Sequence, residues 1–539
     1  MADENDRESI QNPEINALRA EMSDLLRECK IIGRNSKAWK PSRTLSSPGC
    51  GLAPNSRELA DTMVNLYLRS FESTYRILHI PTFWAEYRGF WDHPESVKTN
   101  TRLKILLVIA IGSSLSNHGD INAGFRDMVQ HWVYAAQIWL SGPLEKDRLD
   151  VTGVQIHCLL ILARQIFSIG GDMAWISVGS LIHTAMQIGL HRDPKHLPLM
   201  SILQAELRRR LWATILELTL QTSLDTAMPP RISFDEFDTE APSNNNDDEI
   251  DESTTTLQPH PNDFYTQTSI QLILLGSLPV RLRTLNALSG LRSEYTYDEV
   301  LALSSDISGV HRRYTELMKD NGHSGATAFH RNLLDYQVRR FMVPLHIPFI
   351  QKARANPVFH YSLKVSLDLS MAIVSPEPDE AFSHLMVRGN LLREGFRYAT
   401  SIISLELLAE AEAQRLDGTL SRPSQYRALL KQIVRGNISL AGERIKRGET
   451  NVKAYIFMNM VLAQVEAMEE GVPCELKVAQ SGRDSLLFCR DLLRTWEATF
   501  SSSHGTIVGL EPASFNNGSE SFGLLDWDLD SFLPDTVLT

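Results

Sequence analysis

Apolar residues recur at three- and four-residue steps along most of this chain, and no run of neighbouring segments alternates apolar and polar positions as strands do. The pattern predicts an all-α protein with short connections between antiparallel helices. Helices are expected over about 99–116, 122–141, 151–169, 264–292, 297–319, 328–344, 361–373, 385–414, 424–447, 450–469 and 476–500. Ser141-Gly142-Pro143 is a break, Ser375-Pro376-Glu377-Pro378 a weaker one, and a helix is expected to restart after Pro81, which has no amide to give.

The sharpest pattern runs from Gly170 to Pro242. Asp172 is placed to cap a helix on which Trp175, Val178, Ile182, Ala185 and Gly189 form one stripe. Gly189 suits a left-handed cap, and Pro194 forbids continuation. A second helix carries Leu203, Leu207, Leu211, Ile215 and Leu218 on its own stripe. The two read as a hairpin, with Trp175 and Trp212 expected in the core that joins them.

Three segments stand outside this body. Residues 1–56 hold a polar start, a seam of Ile15, Leu18, Met22, Leu25, Cys29 and Ile32, and a stretch from Lys30 to Arg57 with no acidic residue. The seam fits a short coiled coil joining two copies through residues 15–32, or one amphipathic helix laid on the body. The basic stretch reads as a solvated linker or a weak phosphate-touching or nuclear-import patch. Residues 240–262, with Ser243-Asn244-Asn245-Asn246-Asp247-Asp248-Glu249, have little to bury and are expected to be an exposed, mobile loop whose acids are dispensable. After Ser501 comes an acidic-aromatic tail in which Leu525, Trp527, Leu529 and Phe532 are spaced by Asp526, Asp528 and Asp530. That is the composition of an activation segment, whose apolar residues await a coactivator groove.

Composition narrows the class. The net charge of −12 argues against a protein that coats nucleic acid. Five scattered cysteines fit a reducing compartment, and the acidic start is no secretory signal. The longest wholly apolar run, Ile105 to Ile111, falls far short of the ~20 residues that cross a bilayer. A soluble, intracellular protein with no membrane partner is expected.

The residues Trp175, Gly179 and Ala185, then Gly189-Leu190-His191-Arg192-Asp193, then Glu206, Arg209, Arg210 and Trp212, occur in a telling order, with Pro229 in the closing turn. This order resembles the middle homology region of fungal-specific transcription factors, the helical domain of binuclear zinc cluster regulators. Leu78-His79-Ile80-Pro81-Thr82-Phe83 and Leu345-His346-Ile347-Pro348-Phe349 resemble further segments of it. The likeness covers roughly 57 to 375, and departs where Ala227-Met228 stand in place of Gly-Arg. It implies a nuclear transcriptional regulator, with a regulatory domain over 57–500 and an activation tail over 501–539. Metabolic or secondary-metabolite gene clusters are the usual targets. Promoter DNA, the transcription machinery or a coactivator, and a small-molecule effector are the implied partners.

A binuclear cluster needs six cysteines in paired spacing, and only Cys29 and Cys50 lie in the first 150 residues. No metal or other cofactor is expected from this chain itself; zinc would enter only with a cluster encoded upstream. The alternative regulator is one that lacks DNA binding and works through protein contacts. An enzyme alternative rests on Asp247-Asp248-Glu249-Ile250-Asp251, which spells the magnesium motif of all-α terpenoid synthases but sits among Asn, Ser and Thr. Arg208, Arg209 and Arg210 fan around a helix instead of lining one face, so an internal ion pair or helix cap is expected of at least one. His191 reads as a cap or core histidine.

Overall fold

The structure, a computed structural model, describes residues 13–38, 52–117, 123–142, 148–170, 173–290, 295–320 and 325–503. The stripes become helices that pack on their sequence neighbours. They are α1 (Pro13–Ala38), α2 (Arg57–Tyr67), α3 (Ile80–Asp92), α4 (Thr99–Ser113), α5 (Ala123–Ser141), α6 (Val151–Phe167), α7 (Ala174–Gln187), α8 (Ile202–Thr226) and α9 (Ser269–Ser289). Then follow α10 (Tyr297–Asp320), α11 (Ala328–Arg339), α12 (Met342–Ala353), α13 (His360–Val374), α14 (Glu380–Arg388), α15 (Arg393–Leu416), α16 (Gln425–Lys446), α17 (Lys453–Glu470) and α18 (Cys474–Ser503). Among the described residues there is no strand, and no helix is long and apolar enough to cross a membrane.

Two helices sit deepest. α4 is buried without a break from Leu103 to Ser113. Its Gly112 lies so close to the Met63 carbonyl of α2 that a Cβ there would collide with it. α8 is buried on every side from Arg210 to Ser223. A helix of that kind has no solvated face, so its polar residues must find partners inside.

Some boundaries differ from expectation, each for a local reason. α3 begins at Ile80 with Pro81 in its first turn, where a missing amide costs nothing. The expected helix 328–344 is two, α11 and α12, and the second runs through Pro348. The expected helix 385–414 stops at Gly389, which is extended, and restarts at Arg393 after a 3-10 turn. Of the N-terminal region, the described helix α1 is not separate from the body. α1 lies along α18, and its seam shares a small core with α16–α18 residues such as Ile445, Ile456 and Leu486. All six seam residues are buried by their own chain, so the face expected to join two copies is already covered.

Candidate functional site

The motif-bearing hairpin is built by its caps. Gly189, at φ +76°, turns the chain out of α7, while Leu190 donates to the Ala185 carbonyl and Gly189 to that of Met186. Arg208 Nη2 reaches back from α8 to the Ile188 carbonyl at 2.6 Å, closing the end of α7. Met173 stands at the N-cap of α7 and makes no side-chain cap bond; Asp172, expected there, lies outside the described residues. α8 ends on Ala227 at φ +52°, with Met228 donating to the Ser223 carbonyl, so the turn forms although Ala stands at the left-handed position.

The two tryptophans are not equivalent. Trp212 is 1% exposed and packs edge-on to Phe237 at 5.6 Å, with His191 at 6.4 Å. Trp175, expected in the core, is only half-buried, and its indole donates to the Pro229 carbonyl at 3.3 Å. It holds the turn after α8 against the start of α7. Gly179 has open space where a side chain would stand, and Arg192 makes an exposed pair with Asp238 at 3.2 Å.

Asp193 and Glu206 convert the hairpin into a platform. Arg209 grips Asp193 with two bonds of 3.0 Å and Glu206 with one of 2.9 Å. Asp193 also accepts from the amides of Lys195 and Glu240. Burial works to raise its pKa, but the Arg209 bonds and these amides bring it down to about 2. Glu206 takes the Ser243 amide at 2.8 Å and its hydroxyl at 3.1 Å. Beside them the Asp238 amide donates to the His191 carbonyl, and the Asp238 carboxylate accepts from the Asp193 amide at 2.8 Å. The segment 238–243 is thereby laid along residues 190–193.

That geometry carries Asp247 inward. The expectation of an exposed loop with little to bury is overturned for residues 244–250, where Asn244, Asn245, Asp247 and Ile250 are each under 5% exposed, whereas 251–262 is largely exposed. Asp247 accepts from Arg210 at 2.6 Å, from Arg76, and from the Ile80 amide at 2.7 Å. His79 Nε2 bonds the carbonyls of Asp247 and Ile250, each at 3.0 Å. Burial tends to raise the Asp247 pKa, but Arg76 and Arg210 outweigh it and hold the carboxyl well below the usual range. Arg76 is a left-handed non-glycine at φ +46°, and that turn after Ser73–Tyr75 aims its guanidinium inward. Glu72, fully buried, receives the Leu78 amide at 2.8 Å and the Tyr67 hydroxyl at 2.9 Å. Burial pushes its carboxyl up to about 8 against the pull of Arg76.

A polar stripe continues down α8. Glu217 meets Arg281 of α9 in a two-bond pair at 2.7 and 2.8 Å, and Arg340 binds Gln221 at 2.8 Å and Asp225 at 2.5 Å. All three arginines expected to fan around α8 are therefore used internally: Arg208 as a cap, Arg209 and Arg210 as ion-pair partners. Arg76, Glu72 and Arg281 were missed by sequence reasoning. The available signal was the stripe Glu206, Arg210, Thr214, Glu217, Gln221 and Asp225, whose helical spacing resembles that of a solvated face.

This site clamps chain segments together. The magnesium reading fails, because Asp247 is enclosed by two guanidiniums while Asp248 and Asp251 point outward. Among the described residues no cluster of His, Cys, Asp or Glu is arranged to hold a metal. A recess of about 440 Å³, open to solvent, is lined by Tyr336, Ile373, Phe382, Met386, Phe396 and Arg444 among others. Its Arg444 is already bound to Glu449, Asn390 and the Met386 carbonyl. Cys50, Leu525, Trp527, Leu529 and Phe532 lie outside the described residues.

A sequence profile of the fungal specific transcription factor domain matches residues 64–278, a span that holds Glu72, Arg76, the hairpin and Asp247. Over 97% of this chain and 68% of its own length, Transcription factor asR3 of Sarocladium schorii is 45% identical. Transcription factor opdR of Penicillium oxalicum is 34% identical over 96% of this chain and 68% of its own. The aspyridones cluster regulator apdR of Emericella nidulans is 29% identical over 75% of this chain and 57% of its own.

Proposed function

Because the chain belongs to the fungal-specific transcription factor family, we propose that it regulates transcription of one secondary-metabolite gene cluster, from the nucleus. The observation that carries this reading is the identity to asR3, which extends across the hairpin, the clamp and the C-terminal helices alike. The helical body is the regulatory part, and the clamp around Asp247 keeps its segments in one arrangement. The tail with Leu525, Trp527, Leu529 and Phe532 recruits a coactivator, a reading supported by its alternation of acids with large apolar residues. Promoter DNA and the transcription machinery are the partners this implies.

The test is deletion and overexpression of the gene in its host, with transcripts measured across its biosynthetic clusters. One cluster should fall silent on deletion and rise on overexpression. Unchanged transcripts in both strains would reject the proposal.

A further inference from the structure

We propose that Ser375 is a phosphorylation site for a proline-directed protein kinase, and that its phosphate takes Arg331 from Glu377 and so lifts the loop between α13 and α14. The chain holds two hydroxyls followed by proline, Ser47 and Ser375, and Ser47 lies outside the described residues. Proline brings no amide into a kinase cleft, and kinases of this class select hydroxyls on that basis.

Ser375 is presented as such an enzyme needs it. Its amide donates to the Met371 carbonyl at 2.9 Å and closes α13, because Pro376 bars the residue before it from helical backbone. The chain then runs without helix to Asp379, and Ser375, Glu377 and Pro378 are exposed. Among the described residues the Ser375 hydroxyl has no hydrogen-bond partner, whereas the nearby Ser383 hydroxyl donates to the Asp379 carbonyl at 2.7 Å.

One arginine straps this loop down. Arg331 of α11 gives Nε and Nη2 to Glu377 at 2.7 and 2.6 Å, and the Asn332 side chain exchanges bonds of 2.8 and 3.0 Å with the Glu377 backbone. At the far end Asp379 caps α14, accepting from the Phe382 amide at 2.8 Å. No more than about 7 Å of backbone separates residues 375 and 377, so a phosphate on the first reaches the guanidinium that serves the second. It would carry about −1.5 to −2 charge and compete for the same Nε–Nη2 edge. Its place at the last turn of α13 is unfavourable to an anion, and the neighbours are acidic: Glu377 acts on Arg331 first, with Asp379 adding to it. Once Arg331 turns to the phosphate, Glu377 is left among like charges. The original pair is part-exposed on both sides and holds weakly. Pro376 forms one wall of the recess with Ile373, Phe382 and Met386, so lifting the loop opens that recess.

The reaction transfers the γ-phosphoryl group of ATP. A bond forms from Ser375 Oγ to phosphorus, the bond to the β-phosphate oxygen breaks, ADP leaves, and the hydroxyl proton passes to the kinase. This inference concerns modification of the helical body and is read on the purified chain, apart from the transcriptional reading.

The experiment treats the full chain with ATP and a mitogen-activated or cyclin-dependent kinase, maps phosphate by mass spectrometry, and follows amide exchange over residues 371–388. Wild type, Ser47→Ala, Ser375→Ala and Ser47→Ala with Glu377→Ala are compared. Ser375 should be modified in wild type and in Ser47→Ala, and Ser375→Ala should lose that phosphate. Phosphorylated Ser47→Ala should exchange about fivefold faster around 374–380 than the unmodified protein. Glu377→Ala should already exchange at the faster rate, and phosphate should add little to it. A Ser375 hydroxyl left unmodified, whether or not Ser47 is labelled, overturns the site. Full modification with unchanged or slower exchange overturns the loss of the strap. Equal acceleration by phosphate with and without Glu377 shows that the phosphate does not act through Arg331, and this too overturns the mechanism.

Discussion

Arg210 on α8 donates to Asp247 at 2.6 Å across 37 residues of chain, with both side chains out of solvent. Arg76 meets the same carboxylate, so one acid neutralises two buried bases contributed by separate parts of the fold. Replacing Asp247 with Ala strands both guanidiniums and should cost about 3–5 kcal/mol. Asp248→Asn, a change at an exposed neighbour, should stay within about 0.5 kcal/mol of wild type. Urea unfolding of both variants checks the contrast, and equal midpoints would show that Asp247 is not the clamp.

Glu72 should make stability depend on pH in an unusual direction. Its folded pKa, about 8, lies above the ordinary value of 4.5, so the folded state holds the proton more tightly. The stability this contributes is complete below pH 4.5 and is lost as pH rises through 8. His157, His330 and His346, each lowered to about 4 by burial, act oppositely between 4 and 6.5. Above pH 6.5 the histidines drop out, and between 6.5 and 8 Glu72 should subtract up to about 1.4 kcal/mol per unit, with Asp225, also raised by burial, acting in the same direction. Glu72→Gln should flatten that slope, and a variant that keeps the wild-type slope would falsify the assignment.

Trp212→Ala should cost about 3–5 kcal/mol, as a fully buried ring does. Trp175→Ala removes a half-buried ring and one bond to Pro229, and should cost about half as much or less. Calorimetry on the two variants orders them. A larger loss at Trp175 would place the hairpin's core on the wrong side.

Ala227→Gly should stabilise the protein by up to about 1 kcal/mol. Ala227 adopts φ +52°, where its Cβ crowds the following carbonyl and a glycine has nothing to crowd. The gain is trimmed by glycine's greater freedom in the unfolded chain. A melting temperature that falls would mean that the Ala227 methyl packs favourably enough to outweigh its backbone.

Residues 501–539 fused to a heterologous DNA-binding domain should activate a reporter, and Trp527→Ala with Phe532→Ala should abolish most of that activity. A parent fusion no better than the bare DNA-binding domain excludes the tail as the activating element.

Helix positions were readable because burial writes a 3.6-residue period directly into side-chain type, as the buried stripe Val178, Ile182 and Ala185 on α7 shows. The C-terminal end of α7 was readable through Gly189 and Pro194, whose backbone limits are local. The clamp was not readable, because its logic is long-range. Asp247 looks like any acid in a polar loop until Arg76 and Arg210 are brought to it, and nothing near residue 247 in sequence announces them. Likewise the α1 seam states only that an apolar face must be covered. Which helix covers it depended on α18, at the far end of the chain.

The acid–base couples along α8 have a consequence for how related sequences diverge. Glu217 can be exchanged for an aliphatic residue only if Arg281 changes with it, because the stranded base would be worse than either matched state. The same holds for Asp225 with Arg340, and more severely for Asp247, which has two dependants. Single-step drift is thus blocked at these positions although the double replacement is tolerable. Lineages should keep each couple intact or swap it whole, while the exposed faces of the same helices turn over freely.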